Sequence, residues 1–192
     1  MISDSLQSSE YFDTPFPHIV SNEGLNPSNT SALLEWLERE APWKLVEESF
    51  YEQYEFSLRD IDLPDAVSSL ISDSSLRKLR AVIEGAFGTR LVDKIDVTAH
   101  KLVVGQRIRI HNDFIEGQET HRVLIQLNRG WSDDQGGLLM LFGSKDSTDL
   151  RRVFRPIHNS CVAFAISQYS NHAVSPIHGG QRFTLVYSFY GT

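Results

Sequence analysis

After about residue 93 the chain breaks into short extended runs separated by turn residues, and this pattern constrains its fold more than any other feature. Strands are expected near 95–104, 106–111, 121–128, 138–142, 151–156, 160–167, 171–174 and 182–190. The breaks fall at Gly105, Gly117, Gly130, Gly136-Gly137, Gly143 and Gly179-Gly180. Many short strands at this spacing indicate an all-β sandwich or barrel, and eight strands in two packed sheets make a jelly roll.

The first half reads differently. Pro15-Phe16-Pro17-His18-Ile19-Val20 is expected to be extended, because each proline biases its predecessor away from the helix. Asn29 or Thr30 is placed to cap a helix over Ala32 to Glu40, with Leu33, Leu34, Trp36 and Leu37 on its apolar face. A second helix is expected from Asp73 or Ser74, carrying Leu76, Leu79, Val82 and Ile83 before Gly85 and Gly88 end it. Between them, Lys44 to Leu58 reads as extended and rich in aromatics. The chain is expected to form one domain over 1–192, with a helical and extended support region over 1–92 and a β core over 93–192.

Two strands carry a period-two segregation. Arg182, Thr184, Val186 and Ser188 share one side of the last strand, while Phe183, Leu185, Tyr187 and Phe189 share the other. In 107–111 the same rule puts Arg107 and Arg109 with His111, opposite Ile108 and Ile110. A barrel with a polar interior and a helix-covered outer face produces this arrangement.

Composition narrows the function classes. A net charge of −7 argues against a nucleic-acid surface, which needs clustered Lys and Arg. The single cysteine, Cys161, cannot form an intrachain disulfide and lies in an apolar run, as a small core residue does. The start shows neither a basic n-region nor an apolar h-region, and no stretch reaches membrane-spanning length, so a cytoplasmic protein without membrane or nucleic-acid partners is expected.

The chemistry-bearing residues are His111, Asp113 and His172, with Arg182 after them. Two neutral imidazoles and one carboxylate on one face of an iron form the 2-His-1-carboxylate triad of oxygenases. His-x-Asp alone carries little weight. His178 is a rival ligand, and His18, His100, His121 and His158 read as surface residues or as residues behind the ligands.

In order and spacing, His111-x-Asp113, Val123 to Asn128 with Trp131, Gly136-Gly137-Leu138-Leu139, His172-x-Val174-x-Pro176 and Arg182-x-Thr184 resemble the Fe(II)/2-oxoglutarate-dependent dioxygenases, in their prolyl-4-hydroxylase-like branch. The resemblance runs from about residue 95 to 190. It implies a mainly β fold with N-terminal helices, built on a double-stranded β-helix of jelly-roll or cupin-like form. It also implies that His111, Asp113 and His172 are catalytic metal ligands for Fe(II). Arg182 would pair with the distal carboxylate of 2-oxoglutarate, and Thr184 would add a hydroxyl. Many prolyl hydroxylases carry a tyrosine near the Gln126 position. Here Gln126 would donate through its amide. The co-substrates implied are 2-oxoglutarate and O2, with ascorbate as a candidate stimulant.

The implied reaction hydroxylates an unactivated C–H and releases succinate and CO2. Asp113 favours that outcome, since related halogenases lack the carboxylate, while desaturation and ring closure stay open. The expected substrate is an amino-acid residue in a peptide or protein, proline by default. The alternatives are a tailoring oxygenase of a free amino acid or small metabolite, and a metal-free jelly-roll binding module. Arg107, Arg109 and Arg122 would suit an acidic substrate, or else offset Glu116 and Glu119. Tyr51 and Tyr54 would stack on the substrate from a lid segment. The oligomeric state is left open.

Overall fold

The computed structural model describes residues 2–192. In chain order its main elements are β1 (Glu10–Phe12), β2 (His18–Ser21), α1 (Pro27–Arg39), β3 (Lys44–Glu47), β4 (Glu52–Ser57), α2 (Asp65–Ser68), α3 (Asp73–Phe87), β5 (Leu91–Val103), β6 (Ile108–His111), β7 (His121–Gln126), β8 (Leu139–Phe142), β9 (Leu150–Phe154), β10 (Cys161–Ala165), β11 (His172–Val174) and β12 (Gln181–Gly191). An eight-stranded sheet runs β1-β2-β10-β7-β12-β5-β4-β3 and faces a four-stranded sheet, β6-β11-β8-β9. All of these pairings are antiparallel. The eight expected strands are all present. The expected extended stretches of the first half become β2, β3 and β4 and widen the larger sheet.

The helices differ from expectation at their ends. α1 starts five residues early because Pro27 is preset for a first helical position and Asn26, one residue before it, accepts the Ser28 N–H at 3.2 Å. Thr30 lies inside the helix and returns its hydroxyl to the Pro27 carbonyl. Ser72 caps α3, and Gly88 at φ 61° ends it in the left-handed form that glycine adopts at least cost. Gly85 is an interior residue of that helix, not its end.

The period-two segregation of β12 decides where the two cores lie. Phe183, Leu185, Tyr187 and Phe189 point to the helices and pack with Leu33, Leu37, Leu79 and Ile83. Val186 faces inward with Leu124, Leu139, Phe164 and Val174. A fully buried side chain of this size contributes about 2 kcal/mol of transfer free energy, so the helix-covered face carries most of the stability. Cys161 lies in that core, where burial pushes its thiol up to about 12.

Of the four histidines read as surface residues or as residues behind the ligands, none is exposed. His18 and His121 are buried, and His121 faces Phe87 of α3. Burial lowers the His121 pKa from 6.5 to about 4. Between those values the unfolded chain binds a proton that the folded chain refuses, so stability falls as pH drops through this window. Urea unfolding at pH 7 and pH 4.5 is expected to show that His121→Phe loses about 2 kcal/mol less than wild type over this interval. Equal losses in the two proteins would contradict the assignment.

Candidate active site

The local structure of β6 differs from simple alternation. His111 stands opposite His172, yet Ile108 stands opposite Val174, so β6 uses three steps where β11 uses two. This bulge turns both Ile108 and His111 inward. Arg107 and Arg109 are exposed and line a separate outer groove with Glu47 and Glu48. The expectation that Arg109 shares the side of His111 is therefore corrected.

Asp113 adopts φ 57°, a left-handed conformation that aspartate tolerates better than most residues. The turn is tied across the barrel mouth: Asn112 Nδ2 donates to the Gln168 carbonyl at 3.0 Å, and Ser170 Oγ lies 2.9 Å from the Asn112 carbonyl. These links join the loop after β6 to the loop before β11, and so bring residues far apart in sequence together.

The structure gathers His111, Asp113 and His172 so that one ligand atom from each lies within 4.8 Å of the others. His111 Nε2 is 3.3 Å from Asp113 Oδ1, and His172 Nε2 is 3.2 Å from Asp113 Oδ2. Both Nδ1 atoms point at backbone carbonyls, Arg109 at 2.9 Å and Ser170 at 2.8 Å. Donation there fixes the tautomer and leaves each neutral Nε2 with a lone pair toward the carboxylate. Lone pairs facing a carboxylate call for a cation between them, and this N,N,O set fits a divalent first-row metal. Burial, then the neighbouring His111, lowers the His172 pKa, which favours the neutral ligand form. Phe50 stacks on His111 at 4.5 Å, and Phe164 packs against His172 at 4.8 Å.

Burial alone would raise the Asp113 pKa, but the Arg122 guanidinium and the two imidazoles hold it well below the carboxylate range. Arg122 donates to Asp113 Oδ2 at 2.6 Å and to Glu119 Oε2 at 2.7 Å. Its donors are thus occupied by carboxylates of the chain itself, Glu119 among those foreseen and Asp113 not. Glu116 is exposed.

Arg182 is 4% exposed and donates to Thr184 Oγ1 at 2.8 Å, which in turn donates to Gln126 Oε1 at 3.0 Å. No carboxylate among the described residues pairs with Arg182, and its Nε has no partner. Burial pulls its pKa down to about 10. A buried guanidinium in this state fits an anionic ligand with two carboxylate oxygens. Arg182 and Thr184 line the same cavity as the three metal-ligand candidates, about 440 Å³ in volume. Gln126 lies behind Thr184. Its carbonyl accepts from that hydroxyl, where the sequence suggested an amide donating to the co-substrate.

Of the two lid tyrosines, Tyr51 lines the cavity and Tyr54 does not. Tyr54 stands on the opposite face of β4, with Lys101 Nζ 4.5 Å over its ring. Burial, then Glu55 and Glu48, pushes Tyr51 up to about 12. His178 is exposed on the turn that bonds Gln135 and takes no part in the cluster. The sequence reading missed an inner wall of Gln53, Glu55, Ser57, Asp96, Thr98 and His100. Its signal was present: Asp96, Thr98 and His100 alternate with Ile95, Val97 and Ala99.

The sequence profile of the 2OG-Fe(II) oxygenase superfamily matches residues 97–190. A prolyl-4-hydroxylase of Pseudomonas putida shares the fold, with a TM-score of 0.74 at 20% identity over 91% of this chain and 92% of that one. A prolyl hydroxylase of Trichoplax adhaerens, solved with a peptide fragment of the hypoxia inducible factor oxygen degradation domain, gives 0.73 at 16% identity over 91% and 83%. The viral collagen prolyl hydroxylase of Paramecium Bursaria Chlorella virus-1, solved with 2OG, gives 0.64 at 13% over 91% and 96%. No curated protein sequence matches the chain. The chain belongs to the 2OG-Fe(II) oxygenase superfamily, with the double-stranded β-helix of its prolyl hydroxylase neighbours. It is accordingly a 2-oxoglutarate-dependent dioxygenase that uses Fe(II), 2-oxoglutarate and O2. No helix among the described residues is long and apolar enough to cross a membrane.

Proposed function

We propose that the chain hydroxylates an amino-acid residue in a peptide or protein, with proline as the first substrate to test. The observation that carries this reading is the sharing of one cavity by the His111, Asp113 and His172 cluster and the unpaired, buried Arg182. In this reading the first three hold Fe(II), and Arg182 with Thr184 holds the distal carboxylate of 2-oxoglutarate. Gln126 orients the Thr184 hydroxyl from behind. Arg122 keeps Asp113 ionised and aimed at the two imidazoles.

Bound together, the metal and the 2-oxo acid convert O2, 2-oxoglutarate and a C–H into succinate, CO2 and a C–OH. The protein's share is binding, orientation and exclusion of water. Phe50 and Phe164 sheathe the ligand rings, and Tyr51 lines the same cavity, where it would pack against a substrate ring. The neighbours named for hypoxia inducible factor and collagen support a peptide substrate. A free amino acid or small metabolite is the second reading, because a cavity of about 440 Å³ would enclose such a molecule whole. A reducing cytoplasm suits both Fe(II) and a buried free thiol.

Succinate release measured with prolyl peptides and with free amino acids tests the choice. Peptide-stimulated release, accompanied by a 16-dalton gain on the peptide from one oxygen atom, is expected. Stimulation by free amino acids alone would overturn the peptide reading.

A further inference from the structure

The cavity has a second polar wall, which adjoins Arg182 and Thr184 through the pairing of Thr184 with His100. β4 and β5 pair in the register Glu55 to His100 and Ser57 to Thr98, so alternate residues of both strands face inward. The wall's acceptors, the Glu55 carboxylate and the Gln53 amide oxygen, stand on β4 beside the Ser57 and Thr98 hydroxyls. Gln53 is 2% exposed, and its Nε2 donates to Glu55 Oε2 at 2.7 Å and lies 3.3 Å from His100 Nδ1. Its Oε1 is buried without any partner.

The Glu55 side chain is 27% exposed, and no Lys or Arg among the described residues pairs with it. Its basic neighbour is His100 Nε2 at 3.9 Å, and burial lowers His100 to about 3, so it is neutral near pH 7. Both arginines that line the cavity act on His100 through their charge, and neither pairs with Glu55. Arg122 is held by Asp113 and Glu119, and Arg182 stands with Thr184.

A half-enclosed carboxylate beside an orphaned amide oxygen is stabilised by a ligand that brings positive charge and N–H donors together. We infer that Glu55 and Gln53 form a subsite for a cationic nitrogen of the substrate, an ammonium or guanidinium group. The molecule oxidised here is therefore basic. This inference rests on the oxygenase reading above and deepens it by giving the substrate's charge. Of the two sequence readings of the arginines, an acidic substrate and the offsetting of local carboxylates, it sets aside the first, because Arg107 and Arg109 line the outer groove and Arg122 is already paired.

The test uses the visible band that Fe(II) and 2-oxoglutarate give on a protein of this class without O2, which a molecule entering the cavity perturbs. Two matched pairs serve as probes: L-prolinamide against N-acetyl-L-prolinamide, and N-acetyl-L-lysinamide against N-acetyl-L-norleucinamide. In at least one pair the cationic member is expected to act at a concentration at least about tenfold lower than its neutral partner. Glu55→Gln should abolish that preference, Glu55→Asp should keep part of it, and Gln53→Leu should weaken it.

Direct calorimetric titration of the same probes supplies a readout independent of the band. Equal binding in both pairs, no binding by any probe, or an unchanged preference in folded Glu55→Gln would overturn the inference while leaving the oxygenase reading intact. Loss of the band itself in folded Glu55→Gln would assign Glu55 to the co-substrate and overturn it too. No band in wild type would sink the oxygenase reading and take this inference with it.

Discussion

Asp113→Asn is expected to weaken Fe(II) binding by at least about a hundredfold, since even outer-shell partners of metal ligands are worth 10–100-fold. Asparagine keeps the side-chain shape and tolerates the left-handed backbone at φ 57°. The change therefore removes charge and little else. It also deprives Arg122 of one of its two carboxylates. Breaking a buried ion pair costs about 3–5 kcal/mol, but Glu119 still holds the guanidinium, so a loss nearer 2 kcal/mol is expected here. Calorimetric titration with Fe(II) under argon, together with urea unfolding of the metal-free protein, measures both numbers. Wild-type affinity in the folded variant would remove Asp113 from the ligand set.

Arg182→Met is expected to separate function from stability, with opposite signs. A hydrogen bond to a charged group is worth about 1.5–3 kcal/mol, and a guanidinium can give two to one carboxylate. The KM for 2-oxoglutarate should therefore rise by about two to three orders of magnitude. The metal-free protein should melt higher, because the variant no longer buries an arginine that pairs with no carboxylate and leaves its Nε without a partner. An arginine that merely props the barrel would behave the other way, losing stability on replacement. A lower melting temperature with an unchanged KM would contradict the anion-site assignment.

What the sequence reveals and what it hides follow from the range of the interactions involved. β12 is legible because its alternation runs unbroken: the polar residues line the cavity and the bulky ones meet the helices. β6 is not, because a single extra residue in the ladder reverses the facing of Arg109 relative to His111, and nothing local marks the bulge. Tyr51 and Tyr54 differ only in parity within one extended stretch, so counting from Gln53 would have separated them. The sequence leaves Arg122 either facing a substrate or offsetting Glu116 and Glu119, and its link to Asp113 closes only when the turn after β6 folds back over β7. The start of α1 was readable from Asn26-Pro27 and was displaced by the later Asn29 and Thr30. The inner wall of β4 and β5 is a case of a visible pattern left unused, since each residue is ordinary and only their pairing makes a site.

The central claim is that His111, Asp113, His172 and Arg182 form one Fe(II) and 2-oxoglutarate site. Mixing the protein with both under anaerobic conditions tests it most directly. A visible charge-transfer band saturating at one equivalent of each is predicted, lost in His172→Ala and requiring far more 2-oxoglutarate in Arg182→Met. A folded, wild-type protein that shows no band, or a His172→Ala variant that keeps it, would contradict the account.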